Sequence, residues 1–143
     1  MTSVNVIYQS RKGNTRKVAE AIAQACGVRA IDINEPSPLG DTDLLFIGMG
    51  VYAGRPDASV MDYLDNLPAG KIRGAALFST SATGTDRTEL AVNLLEHKHI
   101  TVYPKHLLLK GKFLWMNKGM PDEAELEKAR QFAGEVLASF QAE

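Results

Sequence analysis

Apolar and polar positions follow two alternating rhythms along this chain. Short runs rich in β-branched and aromatic residues occur at 4–9, 28–33, 43–49, 73–80 and 100–109. Their length and composition predict strands. Between them, apolar residues recur at helical spacing. Val18, Ile22, Ala25 and Cys26 fall on one face of a first helix, which Gly27 is placed to end. Met61, Leu64 and Leu67 mark a shorter second helix, and Leu90, Ala91, Leu94 and Leu95 a third. The last is the clearest: Pro121 opens it, Asp122 and Glu123 suit the positive end of its dipole, and Leu126, Ala129, Ala133, Val136, Leu137 and Phe140 form its stripe.

Regular alternation of strand and helix predicts an α/β fold, a parallel sheet covered by helices on both faces. Right-handed crossovers and the short chain favour a doubly wound five-stranded sheet in the order 2-1-3-4-5. Residues 1–143 read as a single domain, with Pro36, Pro38 and Gly40 in a loop. A ligand of such a sheet lies beyond the carboxyl ends of the strands, near the switch point between strands one and three.

That rule selects three segments. Ser10-Arg11-Lys12-Gly13-Asn14-Thr15 follows strand one and opens the first helix. A helix N-terminus offers unpaired N–H groups and a positive dipole end to a phosphate. Gly13 lets the backbone approach an anion, and Ser10, Asn14 and Thr15 add side-chain hydrogen bonds. The second segment, Gly48 to Asp57, contains Tyr52 between glycines, an aromatic on which a flat ligand could stack. The third, Ser79-Thr80-Ser81-Ala82-Thr83-Gly84-Thr85, is again small and hydroxyl-rich.

Composition narrows the classes. Of 143 residues, 45% are apolar and 23% charged, as in soluble globular proteins. No apolar run approaches the roughly 20 residues of a membrane span, and the N-terminus does not read as a signal peptide, so the expected location is cytoplasmic. One cysteine excludes an internal disulfide framework; Cys26 is expected on the buried face of the first helix. A net charge of −1 does not suggest a nucleic-acid binder. Yet residues 1–29 carry Arg11, Lys12, Arg16, Lys17 and Arg29 against Glu20 alone, a balance of +4 that coincides with the anion cradle. Residues 120–143 carry −4. His97, His99 and His106 lack metal-site spacing and read as surface residues.

The turn after strand one brings a family into view. Ser10-x-Lys12-Gly13-Asn14-Thr15 resembles the Ser/Thr-x-Thr-Gly-Asn-Thr signature of flavodoxin-type FMN proteins, in the same strand–turn–helix context. The resemblance extends over essentially the whole chain. It implies FMN as cofactor, with Ser10, Gly13, Asn14, Thr15 and the backbone N–H groups from Arg11 to Thr15 on its phosphate. Tyr52 would pack on one flavin face, Ala53 or Gly54 would present a carbonyl to flavin N5, and Ser79, Thr80, Ser81, Ala82, Thr83 and Gly84 would line the ring. It further implies a monomeric electron carrier between a reductase and an acceptor protein.

The chain also departs from the signature. Lys12 replaces threonine, placing a cation beside the phosphate. Ala53 occupies a position where a positive φ, and so glycine, is usual. The third loop lacks both a covering aromatic and any acid before Asp86, which leaves one flavin face open or covered by Phe113–Trp115 and predicts a less extreme low-potential couple. An open face also suits a small FMN-dependent reductase or oxidase, and a scaffold without FMN could act as an interaction module. Receiver domains share the sheet order but need acids that Tyr8-Gln9-Ser10 and Gly48-Met49-Gly50 do not supply. Gly70-Lys71 lacks the spacing of a nucleotide-triphosphate loop, and no Gly-x-Gly-x-x-Gly fingerprint supports tightly held NAD(P).

Overall fold

A computed structural model describes residues 3–36, 39–68, 70–111 and 117–141. Strands β1 (Val4–Tyr8), β2 (Ala30–Asp32), β3 (Thr42–Tyr52), β4 (Arg55–Pro56), β5 (Ile72–Ser81), β6 (Thr101–Val102) and β7 (Leu107–Lys110) alternate with helices α1 (Asn14–Cys26), α2 (Ala58–Asp65), α3 (Glu89–His97) and α4 (Glu123–Gln141). The sheet runs β2-β1-β3-β5-β6, all parallel, with β7 also on β5 and β4 antiparallel to β3. If β6 and β7 are taken as one interrupted fifth strand, this is the predicted order.

Period-two alternation divides the core between two faces. Val6, Leu44, Phe46, Ala76 and Phe78 point to α1 and α4; Ile7, Leu45, Ile47, Ala75 and Leu77 point to α2 and α3. Because helices cover both sides, the central strands are apolar at nearly every position. Each large side chain removed from water contributes about 1.5–3 kcal/mol.

The helical stripes differ in detail from their sequence reading. Ala25 is exposed, whereas Ala19, Ala21 and Ala23 are buried, because α1 is covered by α4 as well as by the sheet. Cys26 is only half-buried against the core, where burial pushes its thiol up to about 11. Leu90 is 57% exposed; Ala91 and Leu95, one turn apart, carry the contact of α3. In α4, Phe132 joins the stripe and packs edge-on to Phe46 and Tyr103.

Two strand readings also change, and both shape the site. The predicted fifth strand breaks at Tyr103–His106, where Pro104 lacks a backbone donor. Six steps from Thr101 to Leu107 face four from Gly74 to Phe78. The excess is even, so side-chain parity survives and Tyr103, Leu107 and Leu109 stay on one face. Strand β3 runs three residues beyond its predicted end. Its pairing with β1 stops at Gly48, but its pairing with β5 continues to Gly50, after which it turns back on itself through Ala53-Gly54 into β4. What reads in sequence as a loop is therefore a β-hairpin projecting past the carboxyl edge of the sheet.

Candidate functional site

The turn between β1 and α1 is built from its own residues. Gly13 lies at φ +93°, a conformation that costs any other L-residue about 1–2 kcal/mol, and is the N-cap of α1. Its N–H donates to Ser10 Oγ at 2.9 Å, which folds the turn back on its first hydroxyl. Thr15 is buried, and its Oγ1 lies 2.8 Å from Thr80 Oγ1, tying α1 to the end of β5.

The helix termini differ in a way that bears on ligands. Asp57 caps α2, accepting from Ser59 N at 2.9 Å. Glu89 lies in the first turn of α3, and Asp122 Oδ1 accepts from Glu125 N at 3.0 Å at the head of α4. Helix α1 has neither a side-chain cap bond nor an acid in its first turn. The positive end of its dipole therefore meets no acid of its own first turn, which favours an anion there.

Two adjoining cavities lie beyond the strand ends. The first, about 200 Å³, is lined by Arg11, Lys12, Asn14, Tyr52, Ser81 and Gly111 among others. The second, about 380 Å³, shares Val51, Tyr52, Ser81 and Ala82 with it and extends along Ala53, Gly54, Thr83, Thr85 and Arg87. Tyr52 stands between them. Its hydroxyl accepts from Arg11 N at 3.3 Å, and the Arg11 guanidinium carbon lies over its ring, 3.9 Å from the centroid. Arg11 Nε in turn donates to Asp57 Oδ2 at 2.8 Å. Burial alone would raise the Asp57 carboxyl, but hydrogen bonds from Ser59 and Arg11 outweigh it and hold the group below its usual range.

Comparison with known proteins gives this arrangement a context. The Flavodoxin domain model matches residues 5–106. The chain belongs to the flavodoxin-domain family. It is 27% identical over 146 residues to an uncharacterised protein of Methanocaldococcus jannaschii, covering 92% of this chain and 96% of that one. Its fold is similar to a flavodoxin from the domain Archaea (TM-score 0.78, 19% identity, 99% of each chain). It is also similar to oxidised Flavodoxin 1 from Bacillus cereus (TM-score 0.73, 18% identity, 94% of this chain and 97% of that one). A flavodiiron core, Flv1 from Synechocystis, matches at TM-score 0.75 and 16% identity over 99% of this chain but 36% of its own length.

Against the family signature, this flavodoxin domain brings Arg11, Lys12, Asn14, Tyr52, Thr80, Ser81 and Ala82 to one cavity. Ala53, Gly54 and Thr83 line the second. Ser10 and Gly13 shape the turn from behind. Thr80 and Ser79 are not loop residues: they belong to β5 and are buried, Ser79 on the face of Leu77 and away from Thr15. Gly84 closes a turn by donating its N–H to Ser81 Oγ at 2.7 Å. Ala53 and Gly54, at φ +51° and +75°, are the two residues of the hairpin turn; alanine thus already holds the conformation it disfavours.

Several residues were missed in sequence. Val51 lines both cavities. The Asn14 side chain packs directly on Gly111, and Asn117 Nδ2 donates to Ala82 O at 2.7 Å and Gly111 O at 3.2 Å, so both ends of the 111–117 stretch meet the site. Phe113–Trp115, read as a possible flavin cover, lies outside the described residues. His106 is partly buried rather than a free surface residue. It sits in the break of the fifth strand with its Nδ1 3.0 Å from Asp86 Oδ2 and 2.9 Å from Thr88 Oγ1, pinning the end of the third loop. Burial raises Asp86, but Thr88 and His106 together draw it below its usual range.

Proposed function

We propose that this flavodoxin domain binds FMN across the carboxyl ends of β1, β3 and β5 and carries electrons between a reductase and an acceptor protein. The observation that carries this reading is the N-terminus of α1, opened by Gly13 and with no acid in its first turn, beside a cavity walled by Tyr52 and by Thr80–Ala82. The donor set fits a phosphate at one end and a flat ring at the other. Bound FMN would supply the redox chemistry, and no side chain need act as acid, base or nucleophile. The first turn of α1 would hold the phosphate, with Lys12 adding charge. Tyr52 would stack on the ring, Ser81 and Ala82 would border it, and Ala53 or Gly54 would face N5.

The rim suggests the polarity of the partner. Arg11, Lys12, Arg55, Arg87 and Lys110 are exposed around this edge. Asp57 and Asp86, the carboxylates on the same loops, are already bonded. An acidic face on the redox partner complements such a rim, and association should slow as salt is raised. The protein is expected to work as a monomer in the cytoplasm, with residues 1–143 as one domain.

The deciding experiment is the absorbance spectrum of the purified protein, followed by reconstitution with FMN. Maxima of oxidised flavin support the proposal; failure to take up FMN at micromolar concentration would leave the interaction-module reading. The second cavity, with Arg87 at its wall, favours one alternative, a small FMN-dependent reductase or oxidase. Stopped-flow mixing with NAD(P)H separates the two: fast direct reduction would sink the pure-carrier reading. Potentiometry of the loaded protein tests the charge argument, which expects a hydroquinone couple less negative than in acidic flavodoxins.

A further inference from the structure

The ring half of the site is occupied by the protein itself. The Arg11 guanidinium lies 3.9 Å from the Tyr52 centroid, a cation–π contact on the face a flat ligand would use. Arg11 is held there from two sides. Its Nε donates at 2.8 Å to Asp57, whose side chain is only 10% exposed and is itself fixed by Ser59 N and Oγ at 2.9 and 2.6 Å. Its own N–H reaches the Tyr52 hydroxyl. The hydroxyl end of Tyr52 also lies against Gly50, 2.5 Å from where a Cβ would stand. On the Arg11 side of Tyr52 the cavity is about 200 Å³, against about 380 Å³ for the adjoining cavity along Ala53 and Gly54.

We propose that Arg11 is a displaceable stand-in for the flavin ring, anchored on Asp57, and that it sets the rate and affinity of ring binding. This rests on the FMN reading above. The phosphate would dock first in the ready cradle, and the ring would then exchange with the guanidinium on Tyr52. The exchange costs FMN and riboflavin alike, so the stand-in lowers the affinity of both, while the cradle adds its phosphate contacts for FMN alone.

Riboflavin is the informative probe, since it reports the ring half without any phosphate–arginine attraction. Asp57→Asn keeps the cap of α2, because asparagine caps as well as aspartate, yet removes the charge that anchors Arg11. Arg11→Met removes the guanidinium. Arg11→Met, which loses one exposed ion pair and one cation–π contact, should bind riboflavin about tenfold more tightly than the unaltered protein, and Asp57→Asn, which loses only the ion pair, about threefold more tightly. In stopped-flow, FMN binding should show a second, concentration-independent phase that Asp57→Asn accelerates. Unchanged or weaker riboflavin binding in both variants would overturn the proposal. A flavin-free readout separates it from the FMN reading. In the ligand-free protein the Arg11 Nε–H resonance should be shifted by the Tyr52 ring current, and Tyr52→Leu should abolish that shift. An unshifted Arg11 resonance would overturn the stand-in whether or not FMN binds.

Discussion

The two halves of the site are prepared in opposite ways. The cradle between β1 and α1 is complete before any ligand arrives: Gly13 holds its left-handed turn, Ser10 closes it, and Thr15 locks the helix to β5. The hairpin half is satisfied internally, with Arg11 on Tyr52 and Asp57 on Arg11. The difference lies in where each half finds its partners. The cradle spends its own groups on shape and leaves the first turn of α1 without a counter-charge. The hairpin projects beyond the sheet, where an aromatic face without a neighbour would stay in water, and a long cation from the next loop covers it. Charge is supplied ready for use, while the apolar surface is kept covered until needed.

Variants in each half test this contrast. The largest effect is expected from Gly13→Val. A β-branched residue at φ +93° forces the turn open. Losing about two charge-assisted contacts should weaken FMN binding about a hundredfold, read by quenching of flavin fluorescence. Full affinity in this variant would place the cradle elsewhere. Next is Thr15→Val, which leaves the buried Thr80 hydroxyl without its partner and should cost about 1–3 kcal/mol in urea unfolding, whereas Thr15→Ser should cost much less. If the two behave alike, the link between α1 and β5 is not what holds the cradle.

Smaller effects belong to the hairpin and the rim. Ala53→Asn, which places asparagine–glycine in a turn with two positive φ values, should raise stability by about 0.5–1 kcal/mol and lift the melting temperature. No gain would mean that the hairpin is not formed in solution. Lys12→Thr should change FMN affinity only a few-fold, since in the proposed complex backbone groups of α1 would carry the phosphate. The mildest test is of packing behind α1. With its pKa raised to about 11, Cys26 keeps its proton in the folded protein where the unfolded thiol, near 8.5, ionises. Its contribution to stability is therefore full below about pH 8.5 and fades as pH rises toward about 11. At pH 9, iodoacetamide should label the native thiol far more slowly than the urea-unfolded one.

Much of the cradle was legible in the sequence because its parts are consecutive. A strand, a glycine needing positive φ and an amphipathic helix occupy residues 4–26, and each is signalled by local composition. The second loop was less legible. Tyr52-Ala53-Gly54-Arg55 carries only one glycine, and alanine at φ +51° hides a turn that asparagine would have announced. Gly111 and Asn117 were beyond reach for another reason. Their roles depend on Asn14 and Ala82, and nothing local to residues 111–117 signals a contact so far back along the chain.

By itself, then, the sequence determined the order of elements, the doubly wound parallel sheet, the two faces of the core and the three segments at its carboxyl edge. Each of these follows from hydrophobic period and turn chemistry, which act over a few residues. Tertiary structure alone decided what the side chains in those segments meet. Arg11 covers Tyr52 from 41 residues away, Thr15 meets Thr80 from 65, and Asn117 holds Ala82 from 35. Such pairs depend on sheet register and on how far β3 outruns β1. Register is set by the packing of both faces at once, so no single stretch of sequence encodes it.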